Sequence, residues 1–280
     1  MKIITSISEM QSLSDSFRRE GRTIGFVPTM GFLHEGHVSL MQRARQACDV
    51  VVVSIFVNPT QFGPNEDLDR YPRDEAGDRA KCEAAGVDVL FMPTTAGMYP
   101  ENPSVFITAE GISDVLEGAV RPGHFRGVAT VVAKLFNIVK PHKAFFGQKD
   151  YQQCAVIKRM VKGLDMDVEI VVLPTMREPD SLAMSSRNSY LSADERRRAA
   201  VIHRALSAAE QLARTVTHAP EMLKNRIQAV LREEKNIEID YIEVVDPETL
   251  APLSSGKDVM VLLVAVRLGR TRLIDNLVIL

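Results

Sequence analysis

At 280 residues, 45% hydrophobic and 25% charged, the chain can bury a sizeable core without staples and is long enough for two unequal domains. Its formal net charge of −2 argues against nucleic acid as the main partner, because binding a phosphate backbone normally shows as a basic excess. Cys48, Cys82 and Cys154 are widely spaced without a C-x-x-C pair, so they fit neither a disulfide framework nor a zinc site. No apolar run approaches the ~20 residues needed to span a bilayer, and Met1-Lys2-Ile3-Ile4-Thr5 lacks a signal-peptide core. A cytoplasmic protein with no membrane partner is expected.

From about residue 23 to 173, short β-branched runs alternate with amphipathic segments, the pattern of a parallel sheet with crossover helices. Strands are predicted at 23–27, 50–57, 87–92, 143–146 and 168–173. The run Val50-Val51-Val52-Val53-Ser54-Ile55-Phe56-Val57 is nearly all apolar and reads as a central strand covered on both faces. Helices are predicted at 36–46, 74–85, 128–139 and 151–162, from apolar residues at three- and four-residue spacing. After Pro174 the character changes. Segments 193–214 and 220–234 read as two helices, the first opening with a capping box from Ser192 to Glu195. Strand-like runs at 237–245, 258–266 and 271–280 follow without long crossovers, so their sheet should be antiparallel. Turns are expected at Val245-Asp246-Pro247-Glu248-Thr249 and within 267–270. The fold class is α/β: a Rossmann-like doubly wound parallel sheet over residues 1–175, with a smaller C-terminal α+β domain over 176–280.

In such a sheet, ligands sit beyond the carboxyl ends of the strands. The first strand leads into Pro28-Thr29-Met30-Gly31-Phe32-Leu33-His34-Glu35-Gly36-His37. His34 and His37 then share one face of a first helical turn, where unbonded N–H groups and the helix dipole favour anions such as a nucleotide triphosphate. A lone H-x-x-H is equally the mark of a structural turn, so other loops must carry weight. After the second strand comes Asn58-Pro59-Thr60-Gln61-Phe62-Gly63, where Gln61 offers both a donor and an acceptor. After the fourth comes Gly147-Gln148-Lys149-Asp150: a glycine for close backbone approach, a point charge for a phosphate, and a capping carboxylate able to accept from a ribose hydroxyl. Gln152 and Gln153 follow on the next helix. The fifth strand leads to Met176-Arg177-Glu178-Pro179 and then Met184-Ser185-Ser186-Arg187, whose two hydroxyls and forked guanidinium suit triphosphate oxygens. Asp67, Asp69, Asp74 and Asp78 read as a solvated acidic loop, one or two of whose members could touch a nucleotide-borne magnesium ion. The chain has neither G-x-x-x-x-G-K-[ST] nor, after its first strand, G-x-G-x-x-G, which weighs against P-loop and dinucleotide-dehydrogenase readings.

Taken in order, the segments 28–37, 56–62, 67–73, 121–128, 146–153 and 177–188, with Thr271-Arg272-Leu273-Ile274-Asp275-Asn276, closely resemble the pantoate–β-alanine ligase family over nearly the whole chain. The H-x-x-H alone is shared by a wider class of nucleotidyl-transferring enzymes. The resemblance implies ATP-dependent condensation of pantoate with β-alanine through a pantoyl-adenylate, releasing AMP and pyrophosphate, with ATP as substrate, Mg2+, a C-terminal lid and a homodimer. It further implies that Met30, Gly31, Phe32, Leu33, His34, Glu35, Gly36 and His37 line ATP together with Gly147, Gln148, Lys149, Asp150, Met176, Met184, Ser185, Ser186 and Arg187. His37, His34 and Lys149 would be catalytic, Gln61 and Gln153 would hold pantoate, and Gln61 would also lie near β-alanine. Three departures stand out: Phe32 where the family more often has Ala, His142 for a frequent Asp, and Ser181 where Gly is usual, so a positive φ there would imply strain. The rival readings are a nucleotidylyltransferase acting on a phosphorylated acceptor and a non-catalytic ATP-binding protein.

Overall fold

The computed structural model describes residues 1–64, 66–100, 103–214 and 219–280. The chain divides into two compact units, Met1–Gly147 with Gln153–Pro174, and Gln148–Gln152 with Thr175–Leu280.

In the first unit the elements are β1 (Lys2–Ile4), α1 (Ile7–Arg19), β2 (Ile24–Thr29), α2 (Glu35–Ala47), β3 (Val50–Ile55), α3 (Glu75–Ala84), β4 (Val89–Phe91), α4 (Thr95–Met98), α5 (Glu117–Val120), α6 (His124–Val139), β5 (Lys143–Gly147), most of α7 (Tyr151–Gly163) and β6 (Glu169–Leu173). The strands form one parallel sheet in the order β1-β4-β3-β2-β5-β6. The chain passes from β2 outward to β3 on one side and to β5 on the other, so β2 and β5 flank the switch point where α/β proteins bind ligands. Alternation along β2 explains its two covered faces. Phe26 meets Phe136 of α6 edge-on with ring centroids 6.4 Å apart, while Val27 joins Leu40, Met41 and Ala44 of α2 on the other face. The predicted strands and helices all form, with ends shifted by a few residues. The sequence reading passed over β1 and α1. The strand is three residues long, too short to show an alternation; α1 does carry Ile7, Met10, Leu13 and Phe17 at three- and four-residue spacing, although of its residues only Met10 and Ser14 are fully buried.

The second unit holds α8 (Ala193–Ala199), α9 (Val201–Ala213), α10 (Pro220–Leu231) and an antiparallel sheet of β7 (Ile237–Val245), β8 (Met260–Leu268) and β9 (Thr271–Ile279), with β8 central. The helix expected over 193–214 is interrupted at Ala200, whose φ of −60° and ψ of −19° belong to a tighter 3₁₀-like turn; no glycine or proline marks the break. The turn expected within 267–270 contracts to Gly269-Arg270, with Gly269 at φ 56°. Ile202, Leu206, Leu223 and Ile227 pack on Leu262, Val264 and Val266 to close the core of this unit.

Candidate active site

The H-x-x-H corner leaves β2 as an irregular turn with Gly31 at φ 82° and Phe32 at φ 51°. A carboxylate holds it there. Asp78 of α3 accepts from the Phe32 N–H at 2.8 Å and the Leu33 N–H at 2.7 Å, and is 2% exposed. A Cβ on Gly31 would lie 3.0 Å from Asp78 Oδ2, so the turn needs glycine for both its φ and its space. The reading of the acidic segment as solvated is therefore corrected for Asp78, while Asp74 stays exposed. Asp78 is a buried brace, and Asp74 caps α3 by accepting from the Gly77 N–H at 3.0 Å.

His34 is the N-cap of α2. Its Nδ1 accepts from the Gly36 N–H at 3.1 Å, and His37 Nδ1 accepts from the His34 N–H at 3.2 Å. A ring nitrogen that accepts carries no proton, so in this arrangement each ring holds its proton on Nε2 and acts as a donor there. The ring centroids are 4.1 Å apart. This refines the expectation of bare N–H groups beside two cationisable rings. The motif consumes part of its own helix N-terminus and offers imidazole donors in exchange.

From the neighbouring strand β3, Asn58-Pro59-Thr60-Gln61 forms a 3₁₀ turn. Asn58, fully buried, donates through Nδ2 to Gln61 Oε1 at 3.0 Å and to the Gly127 carbonyl at 3.2 Å, and its Oδ1 accepts from the Thr60 hydroxyl at 3.0 Å. Gln61 is thus oriented, with its Oε1 already engaged. Its carbonyl accepts from Arg121 Nη2 at 3.3 Å and from His124 Nδ1 at 2.8 Å. Arg121 is itself fixed by a bidentate pair with Glu66 at 2.9 and 2.5 Å, and Arg121 Nη1 lies 3.1 Å from His124 Nε2. Guanidinium is only a donor, so His124 must accept through Nε2 and donate through Nδ1, a neutral ring. Burial, with Arg121 beside it, pushes the His124 ring down to about 4. Gly127 allows α6 to lie against this turn, since a Cβ there would come 2.3 Å from the Thr60 carbonyl oxygen. A cavity of about 170 Å³ opens beside Gln61, walled in part by Phe106, His124 and Arg126.

Of the other residues singled out from the sequence, Gly147 ends β5 and Gln153 is half-buried on α7, both in the first unit. The second unit holds Gln148, Lys149, Asp150, Met176, Met184, Ser185, Ser186 and Arg187. Residues 148–150 form a 3₁₀ turn in which Lys149 Nζ lies 3.4 Å from Asp150 Oδ1. Residues 176–184 form a tight hairpin. The Met184 N–H donates to the Met176 carbonyl at 3.0 Å, Arg177 bridges Ala183, and Ser181 takes φ 73°. Arg177 donates to the Ser181 carbonyl at 3.1 Å and forks onto Asp275 at 2.7 and 3.1 Å. Ser185 then caps the next 3₁₀ turn, its hydroxyl accepting from the Arg187 N–H at 3.3 Å.

Known proteins match this chain from end to end. The family model described as pantoate-beta-alanine ligase matches residues 2–278. The chain belongs to the pantoate–β-alanine ligase family. A pantothenate synthetase of Acetivibrio thermocellus is 52% identical over 279 residues, covering 100% of this chain and 99% of the relative, and one of Thermotoga petrophila is 53% identical over 276 residues, covering 99% of each. The crystal structure of pantothenate synthetase from Thermus thermophilus superposes with a TM-score of 0.94 at 47% identity over 99% of both chains. A pantoate-beta-alanine ligase from Francisella tularensis, complexed with β,γ-ATP and β-alanine, gives a TM-score of 0.79 at 37% identity, covering 99% of this chain and 97% of that one.

Set within this family of ligases, Asn58, Arg121 and His124 are supports to which the sequence assigns no role, and Asp78 is one to which it assigns a different role, in a solvated acidic loop. For Asp78 a signal existed: it lies four residues before Cys82, on the buried stripe of α3. Arg121 and His124 lay inside a segment carrying the family resemblance, but only the fold reveals that both address the Gln61 carbonyl.

Proposed function

We propose that this ligase carries out its ATP-dependent condensation of pantoate with β-alanine on these loops, with His34, His37 and Lys149 as catalytic residues. A carboxylate alone cannot acylate an amine, because its leaving group would be oxide. In the first step the pantoate carboxylate oxygen attacks the α-phosphorus of ATP, the bond from that phosphorus to the bridging oxygen breaks, and pyrophosphate departs with the electron pair. In the second, the neutral amine of β-alanine attacks the acyl carbon of the pantoyl-adenylate, AMP leaves, and the amine loses a proton. Neither step forms a bond to the enzyme.

Two anions meet in the first step, so the site's task is to place donors and positive charge around the α-phosphate. The Nε2 donors of His34 and His37, at the switch point of the sheet, are the observation that carries this reading. Lys149 adds a point charge, Ser185, Ser186 and Arg187 take the pyrophosphate, and Gly147, Gln148, Asp150, Met176 and Met184 complete the nucleotide site with Met30–Gly36. Gln61 and Gln153 hold pantoate, and Gln61 orients the incoming amine. The cavity beside Gln61 supports a small carboxylate substrate there. Among the described residues no three acidic, histidine or cysteine side chains come together as a metal site, and Asp78 is occupied by two N–H groups. That donor set fits a magnesium ion bound chiefly by phosphate oxygens and water. When bound with ATP it would neutralise charge on the phosphates. The smaller unit is proposed to act as the lid, and the protein to work as a cytoplasmic homodimer. No described helix is long and apolar enough to cross a membrane.

Pantoate-dependent exchange of labelled pyrophosphate into ATP tests the proposal. Exchange is expected with pantoate and not with phosphorylated acceptors, whose activity would favour the nucleotidylyltransferase reading. Lys149→Ala and His37→Ala should each lower the exchange rate by about 10²–10³-fold, the usual loss for one such donor. A wild-type rate in either variant removes that residue from the catalytic set.

A further inference from the structure

Two consecutive polar residues are buried on β9: Asp275 is 3% exposed and Asn276 2%. Along a strand, neighbouring side chains point to opposite faces. Asp275 pairs with Val264, a member of the helix-covered core, and Asn276 pairs with Leu263 on the other face. A β-strand with a buried helix-side face has no packing use for a buried amide on its reverse unless that amide has partners. Asn276 has three. Its Nδ2 donates to the Gln148 carbonyl at 2.9 Å and to the Lys149 carbonyl at 2.8 Å, and its Oδ1 accepts from Gln148 Nε2 at 3.2 Å. Carbonyl oxygens only accept, so the amide orientation is fixed by its partners. The other face is anchored as firmly: Asp275 takes the Arg177 fork and also accepts from the Asn276 N–H at 2.8 Å.

We propose that Asn276 is the positioning residue for Lys149. Its side chain takes the place of a missing strand partner for the turn 148–150, capturing two successive carbonyls, one of them that of Lys149 itself. The backbone from which the ammonium projects is thereby tied to β9, which Asp275 ties in turn to the hairpin carrying Met184 and the Ser-Ser-Arg triplet. Without that amide two part-buried carbonyls lose the bonds that tie them to β9, and the turn is free to swing the lysine away from a developing charge. Displacement of this order at a charge-stabilising group is costly to rate while leaving substrate binding elsewhere untouched.

The inference rests on Lys149 acting in adenylation, and a double-mutant cycle separates the two claims. The rate of pantoyl-adenylate formation is measured in single turnovers of the full-length enzyme for wild type, Lys149→Ala, Asn276→Ala and the double variant, together with the pantoate KM and the thermal midpoint of each. The expected result is a roughly 10- to 100-fold slower adenylation in Asn276→Ala, an unchanged pantoate KM, and no further loss when the substitution is added to Lys149→Ala. Wild-type adenylation in Asn276→Ala, with Lys149→Ala impaired, overturns the positioning role alone. An equal, multiplying loss in both backgrounds also overturns it, because the effect then does not pass through the lysine. Wild-type rates in Lys149→Ala overturn the assignment of the lysine, and the positioning role with it. Asn276→Ser, which keeps one donor, carries the same test at a smaller expected loss if the alanine variant does not fold.

Discussion

Two loops proposed to line the nucleotide site each hold a non-glycine residue at positive φ, and they are held by opposite means. In the corner after β2, Phe32 at φ 51° is clasped by a buried carboxylate that accepts its N–H and that of Leu33. In the hairpin 176–184, Ser181 at φ 73° is caught on both sides of its peptide. Its N–H donates to the Glu178 carbonyl at 2.8 Å, and its carbonyl accepts from Arg177. The first brace is a single acid from another helix; the second is a chain of contacts that ends on Asp275. Strain in a loop persists only where the surroundings over-determine it. The corner should therefore be brittle toward one substitution, and the hairpin tolerant.

The largest effect expected is at Asp78. Asp78→Ala strands one buried and one part-buried N–H group, at about 1–3 kcal/mol for each buried one, so urea unfolding should show a loss on the order of 2–4 kcal/mol. Pyrophosphate exchange should fall by about as much as when an imidazole is removed, since the turn that aims His34 and His37 relaxes. Asp78→Asn keeps the shape and one acceptor and should lie between. An alanine variant with undiminished exchange would show that the corner holds itself, and the contrast with the hairpin would be lost.

A third loop sharpens the comparison, because its brace titrates. His124 holds the Gln61 carbonyl as a neutral ring, pushed down to about 4 in the folded protein against about 6.5 unfolded. The groups facing it are Arg121, Glu66 and Glu117, and Arg121 with burial outweighs the two acids. The folded state binds fewer protons between these values, so this contribution is complete above about pH 6.5 and is lost as the pH falls toward about 4. By about pH 4.5 the loss should be about 2–3 kcal/mol. Urea unfolding of wild type and His124→Gln at about pH 7 and about pH 4.5 isolates it: the variant should lose less stability across that interval. Parallel losses in the two proteins would mean the ring is not held neutral.

The same contrast explains what was legible in the sequence. The H-x-x-H corner is contiguous, so its strand, turn and paired rings could be read from one short segment, whereas the capping role of His34 could not. The β7 strand was located to the residue, because the β-branched and apolar run 237–245 is bounded by turns, even though its alternation holds only over Ile237–Tyr241 and a bulge follows Ile239. The supports were not legible. Asp78 lies 46 residues from Phe32, Arg121 60 from Gln61, and Asn276 128 from Gln148. Each is a common polar residue whose meaning comes from the partner the fold delivers. The break at Ala200 was invisible for a different reason, as alanine favours continuing a helix.

The smallest effect expected is also the one that turns on the sign of strain. At Ser181 the left-handed region costs an L-residue about 1–2 kcal/mol, while glycine there forfeits about 0.5–1 kcal/mol in chain entropy. Ser181→Gly should therefore stabilise the protein by up to about 1 kcal/mol, seen as a higher urea midpoint with an unchanged slope. Its pyrophosphate exchange should match wild type, because the Arg177 contact is to the Ser181 carbonyl and survives the loss of the hydroxymethyl group. At Phe32 the corresponding change to glycine removes a side chain as well as strain, so it offers no such clean gain. A Ser181→Gly protein that unfolds at lower urea would show that the serine side chain holds the hairpin, placing both loops under the same kind of control.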